Sequence, residues 1–221
     1  MSIENVYTPV DLSHKLDTNI ASWPGLPTFE CCPIVKGTHV DAPSHFIPNG
    51  TNIDEIPVER LFGPALIVDV SHKKEREAIT WEEDLKPLEG KINEETILLF
   101  YTGWSKHYTS NALQYYQHPY LEISAAEEIA KRRVKVIGMD FASPDDSGKG
   151  TEGGFPVHRI ILGAGIPIVE NLTNLGRLVE EDLTKPDTRT IVNLVPFNYA
   201  GCDGAQVRAL GWKEIQARES R

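Results

Sequence analysis

The stretch Gly37-Thr38-His39-Val40-Asp41-Ala42-Pro43-Ser44-His45 places two imidazoles and a carboxylate within seven residues. His39 and Asp41 are spaced i, i+2, so on a strand both side chains leave the same face. Pro43 ends regular strand pairing and lets the chain turn, so His45 can look back at the same space. Two nitrogen donors and an oxygen donor converging on one point are what a divalent transition metal requires. The competing reading is a surface strand with scattered polar residues, since short His/Asp clusters also arise by chance.

A chain of 221 residues suits one domain spanning 1–221. Apolar residues make up 40% and charged residues 24%, an ordinary globular balance that leaves room for a core enclosing a polar site. The net charge of -10 argues against nucleic acid and anionic membranes as partners. Met1-Ser2-Ile3-Glu4-Asn5 has neither the basic nor the apolar region of a signal peptide. No apolar run approaches the length of a membrane span. Cys31, Cys32 and Cys202 do not make a disulfide framework, so the expected location is a reducing cytoplasm.

Outward from the opening stretch, 6–13 read as a first strand with Pro9 at an edge or bend. The opening stretch itself reads as a strand from about Pro33 to Asp41. Further strands are expected over Pro64–Val70, Thr96–Tyr101, Val134–Met139, Pro167–Leu172 and Ile191–Val195, with another over Gln206–Leu210. Short helices are expected over Ile56–Leu61, with Pro57 in the first turn, and over Pro156–Leu162, stopped by Gly163 and Gly165. Two more open at Thr80 and Ser124, each with a capping box completed three residues on, by Glu83 and Glu127. Lys73 to Glu77 reads as a solvated loop, and His14, His107 and His118 as surface residues. Ser143 to Gly154 is a Gly/Ser/Asp loop expected to stay mobile until something orders it. Trp23, before Pro24-Gly25, is either a lid over a pocket or a packing plug.

Glu170 is the second strong signal. It lies within an apolar strand, on the same face as Ile168, and an unpaired buried carboxylate is costly. His158 stands twelve residues earlier on the preceding helix. A helix, a tight Gly-x-Gly turn and a strand run antiparallel, so His158 and Glu170 can meet at one end. A hydrogen-bonded core histidine and a salt-bridged glutamate remain the alternative.

Asp11-Leu12-Ser13-His14, Trp23-Pro24-Gly25, Gly37 to Phe46, Thr102-Gly103-Trp104, Gly138-Met139-Asp140, Pro156-Val157-His158, Ile168 to Leu172 and Asp203 to Arg208 together resemble the putative cyclase family. That family includes bacterial kynurenine formamidases, isatin hydrolases and related lactone or amide hydrolases. The resemblance spans nearly the whole chain. It implies an α/β fold, a swivelling β/β/α domain with a mixed central sheet and a few flanking helices, assembled as a homodimer or homotetramer. It also implies a Zn²⁺ or Mn²⁺ site with His39, Asp41, His158 and Glu170 as ligands. His45 is then the general acid/base beside a metal-activated water, acting on an amide, formamide or lactone in the manner of an arylformamidase. Trp23, Phe46 and Trp104 are candidate walls of the substrate pocket, and each also fits plain packing.

One position departs from the family pattern, His-x-Gly-Thr-His-x-Asp. Val35 stands where its first histidine belongs, on the face shared with positions 39 and 41. Three outcomes follow. The remaining four ligands suffice; Cys31 or Cys32 substitutes as a softer ligand; or the metal is weak or absent and the chain is a degenerate, ligand-binding or interaction protein. An isomerase or dehydratase using the same metal to polarise a carbonyl is a further reading.

Overall fold

The computed structural model of the chain describes residues 10–11, 37–108, 113–179 and 188–215. His14, Trp23, Cys31, Cys32 and Val35 lie outside the described residues. The strands are β1 (Val10–Asp11), β2 (His39–Asp41), β3 (Phe62–Asp69), β4 (Ala78–Ile79), β5 (Ile97–Tyr101), β6 (Tyr120–Leu121), β7 (Val136–Met139), β8 (Ile168–Glu170), β9 (Thr188–Asn193), β10 (Gly204–Gln206) and β11 (Leu210–Ile215). The α-helices are α1 (Ile123–Lys131), α2 (Pro156–Gly163) and α3 (Gly176–Val179).

Nine of these strands form one mixed sheet in the order β1-β11-β9-β3-β5-β7-β8-β2-β10. Its centre, β3 to β8, is parallel. The flanks are antiparallel, with β9 on β3 and β2 on β8. Parallel strands carry apolar residues on both faces because both are covered, and Ile97-Leu98-Leu99-Phe100 in β5 are all buried. Their side chains alternate between two cores. Leu98 and Phe100 join Ile137, Met139 and Ile168 under α1 and α2. Ile97 and Leu99 join Val136, Val169, Val40 and Leu178 on the other face. This is the α/β, mixed-sheet architecture with few helices that the sequence implied. No helix among the described residues is long and apolar enough to cross a membrane.

Gly138 is required by a close approach in the second core. A Cβ there would lie 2.7 Å from Leu99 Cδ2 and 3.0 Å from Leu172 Cδ1.

Several local expectations are corrected. α1 begins at Ile123 with Glu122 as its N-cap, and the Ser124 hydroxyl donates to Glu122 Oε2, so the Ser124–Glu127 box does not form. Thr80 does cap its turn, accepting the Glu83 N–H at 3.3 Å. The reciprocal bond to the Thr80 N–H comes from Asp84 Oδ2 at 2.7 Å, not from Glu83, because Trp81–Leu85 is a wider π-helical turn. The expected helix after Ile56 is a single 3-10 turn, Val58–Arg60, with Pro57 as its cap. The expected strand over Gln206–Leu210 divides between β10 and β11. Lys73 is buried rather than solvated, with Nζ 2.9 Å from Asp84 Oδ2.

His118 is buried, not at the surface. Its Nδ1–H donates to the Pro119 carbonyl at 2.7 Å, and Nε2 accepts the Ser147 hydroxyl at 2.5 Å. It thereby holds the loop expected to be mobile. The Arg76–Asp146 ion pair, at 3.0 Å, holds that loop from the other side.

Candidate metal centre

The register of β2 against β8 pairs His39 with Glu170 and Asp41 with Ile168. Directly opposed residues on antiparallel strands share a face, and Asp41 shares it by the two-residue period of β2. His158 enters from the first turn of α2. His39 Nε2 is 3.4 Å from both Asp41 Oδ1 and Glu170 Oε2. His158 Nε2 is 3.3 Å from Glu170 Oε1 and 3.7 Å from Asp41 Oδ2. The four residues are only 4%, 1%, 4% and 7% exposed, in the order His39, Asp41, His158, Glu170. The structure thus brings together all four residues that the sequence reading grouped.

Both imidazoles are oriented from behind. The His39 Nδ1–H donates to the Gly37 carbonyl at 2.8 Å. The His158 Nδ1–H donates to Asp145 Oδ2 at 2.6 Å. Each bond takes up Nδ1 and leaves Nε2 facing the cluster, which is how histidine ligands are oriented. Asp145 also accepts the backbone N–H groups of Val157 and His158, at 2.8 and 3.0 Å, and so acts as the cap of α2. Asn171, at φ 59, anchors the start of β2. Its Nδ2 donates to the Gly37 carbonyl, its Oδ1 accepts the Tyr115 hydroxyl, and its backbone carbonyl accepts the Thr38 hydroxyl.

The electrostatics demand positive charge. Burial alone would lower the His39 imidazole, but the charges of Asp41 and Glu170 outweigh it and raise it to about 9. Burial likewise opposes protonation of His158, and Asp145, Asp41 and Glu170 lift it well above the usual range. Burial would raise Asp41, but His39 beside it holds its carboxyl well below the carboxylate range. Burial pushes Glu170 up, and the adjacent Asp41 adds to that.

The donor set fits a divalent ion. Asp41 Oδ1 and Glu170 Oε1 are buried and accept no hydrogen bond from the described residues. His39 faces Asp41 Oδ1 and Glu170 Oε2, and His158 faces the other oxygen of each carboxylate, so the two carboxylates are shared between the imidazoles. His39, Asp41 and Glu170 already bring one donor atom each within 4.8 Å of one another.

His45 sits on the 3-10 turn Pro43–His45, with its backbone N–H donating to Ala42. The Phe46 ring touches both it and the cluster, 5.0 Å from the His45 ring and 4.7 Å from that of His158. Phe46 therefore lines the site beside His45. Trp104 is buried in the core under α1, and its indole N–H donates to the carbonyls of Gln114 and Tyr115. Those are the contacts of a packing residue, and they do not bring it to the four donors. Trp23 lies outside the described residues.

Sequence reasoning missed Asp145, Asn171, Tyr115 and Tyr116. Burial first, then the nearby Glu170, pushes the Tyr116 phenol up to about 12. Asp145 had a readable signal, a carboxylate upstream of a proline-started helix, but the intervening loop obscured it. A cavity of about 450 Å³ opens at the N-terminal ends of α1 and α2, with Glu122, Lys149 and Phe155 in its walls. It shares Asp145 with the site but is not lined by the four donors.

A family model described as putative cyclase matches residues 10–146. The kynurenine formamidase of Geobacillus thermodenitrificans is 27% identical over 219 residues, covering 90% of this chain and 95% of that protein. That of Bacillus cereus is 28% identical over 224 residues, covering 91% and 95%. Among solved structures, isatin hydrolase A from Labrenzia aggregata, bound to benzyl benzoate, superposes with a TM-score of 0.74 at 24% identity over 94% of each chain. Isatin hydrolase A from Ralstonia solanacearum gives 0.75 at 22% identity, over 95% of this chain and 92% of that one. At such identities the likeness establishes a shared fold.

Proposed function

The chain belongs to the putative cyclase family, and from that premise we propose that it is a metal-dependent hydrolase of an amide, formamide or lactone bond in a small substrate, arylformamidase-like in its chemistry. The observation that carries this reading is the buried convergence of His39, Asp41, His158 and Glu170, with both Nε2 atoms turned inward. A Zn²⁺ or Mn²⁺ ion held by these four would supply Lewis-acid polarisation of the carbonyl and activation of water near neutral pH.

The chain's own residues do the rest. His45 takes a proton from the attacking water and returns it to the leaving nitrogen or oxygen, the ordinary work of a positioned general acid/base. The products are a carboxylic acid and an amine, or for a lactone the opened hydroxy acid. Phe46 offers a ring face to a cyclic or aromatic substrate, and Arg159 stands over that ring at 5.5 Å. The names of the relatives support an aromatic substrate. Assembly as a homodimer or homotetramer belongs to the same reading, and light scattering checks it.

Val35 favours a second reading, a chain that binds ligand without turnover. Metal analysis after Zn²⁺ or Mn²⁺ loading, with assays on N-formylkynurenine, isatin and simple lactones, separates the two. Turnover with near-stoichiometric metal supports the hydrolase. Less than ~0.2 metal per chain overturns it, because a proper zinc site binds with ~10–16 kcal/mol. A gain of metal in Val35→His would show that the missing donor limits the site.

A further inference from the structure

We propose that Asp203 is the positioning residue of His45, so that the two form an acid/base dyad beside the candidate metal centre. The proposal rests on the hydrolase reading for its role in turnover, and on geometry alone for the dyad. The Nδ1–H of His45 donates to Asp203 Oδ2 at 2.8 Å. That bond leaves Nε2 as the only ring nitrogen able to accept a proton.

Both partners are fixed by their own backbones rather than by the bond between them. Gly204 pairs with Asp41 in the β10–β2 ladder, and the carbonyl of Asp203 accepts the Ala42 N–H at 2.8 Å. The strand that carries two metal donors therefore also sets the height of the Asp203 carboxylate. One residue earlier, the Cys202 carbonyl accepts the Ile53 N–H at 2.9 Å, which ties the same segment to the chain downstream of His45. The Phe46 ring packs against both His45 and His158. The imidazole is thus held by an aromatic ring and a carboxylate.

A role in fold stability does not account for the pair. The side chains are 24% and 47% exposed, and ion pairs that wet contribute only ~0–1 kcal/mol. Fixing one tautomer at the edge of a reacting site is the property such a bond does supply.

The test uses the full-length, metal-loaded protein and Asp203→Asn, Asp203→Ala and Asp203→Glu variants. Nitrogen-15 NMR of the His45 ring, assigned with His45→Gln, reads the tautomer directly. We expect an Nδ1-protonated ring in the native protein and a mixed or reversed tautomer in Asp203→Asn. With N-formylkynurenine as substrate, kcat should fall at least ~10-fold, towards the ~100-fold or more that a general acid/base contributes. KM and metal content should stay within about twofold, and Asp203→Glu should recover part of the rate. An unchanged tautomer in Asp203→Asn, or a kcat within twofold of native, overturns the proposal. Failure of the native protein to turn over any substrate counts against the hydrolase reading, and the tautomer then decides the dyad on its own.

Discussion

The carboxylate of Asp145 accepts the ring Nδ1–H of His158 at 2.6 Å while capping the helix that carries it. One side chain thus sets both where α2 starts and which way the His158 ring points. Asp145→Asn keeps the size and loses the charge. Metal affinity should fall about 10–100-fold, as for other residues that orient a ligand histidine. The cost to folding should be about 1 kcal/mol, the usual worth of a cap. Competition titration with a metal-sensitive dye, beside thermal melts of the metal-free protein, checks both. An unchanged affinity would show that the helix alone orients His158.

His45 and Asp41 should separate catalysis from metal binding. His45→Ala should retain metal and lose at least ~100-fold in rate. Asp41→Ala should lose the metal itself. Metal analysis with steady-state kinetics reads the split, and loss of metal in His45→Ala would show that His45 is a ligand.

His118 should make stability depend on pH. Burial lowers its imidazole to about 4, against 6.5 unperturbed. Between those values the unfolded chain binds the extra proton, so stability is full above about pH 6.5 and lost as pH falls towards 4. The loss is on the order of 3 kcal/mol. Asp140 acts oppositely. Burial raises it to about 6 although Thr102 and Gly103 donate to it, so its contribution is lost as pH rises through that value. The two effects overlap, and the native curve alone is uninformative. Urea unfolding of native and His118→Gln protein across pH 4 to 7 isolates the histidine. A pH-independent difference between them would refute its buried, neutral state.

Gly138→Ala should destabilise the protein by about 1–3 kcal/mol, the range for overpacking a core. The added methyl meets Leu99 and Leu172 side chains from neighbouring elements. Chemical denaturation measures it, and a neutral result would mean that Leu99 and Leu172 move aside freely.

The parts of the site legible in the sequence rest on local rules. His39 and Asp41 share a face by strand period, and Glu170 stands out as a carboxylate inside an apolar run. His158 follows from the helix–turn–strand geometry between them. What escaped reading depends on tertiary partners. Nothing near Asp203 in sequence points to His45, because the β10–β2 ladder alone makes them neighbours. His118 and Lys73 looked solvated because their partners, Ser147 and Asp84, lie on separate turns. Trp104 fitted both a pocket wall and plain packing, and its indole N–H bonds to backbone carbonyls further along the chain. The capping boxes failed by one or two residues, where a π turn or an earlier cap shifted the frame.

The position of β2 has a consequence for the order of assembly. It is made early in the chain, yet both its neighbours in the sheet, β8 and β10, come from 168–170 and 204–206. During synthesis, His39 and Asp41 emerge from the ribosome long before the strands that will hold them. Pairings so distant in sequence carry a large loop-closure cost and form slowly. A nascent chain cut short before β8 lacks both Glu170 and the strand that aligns it with His39.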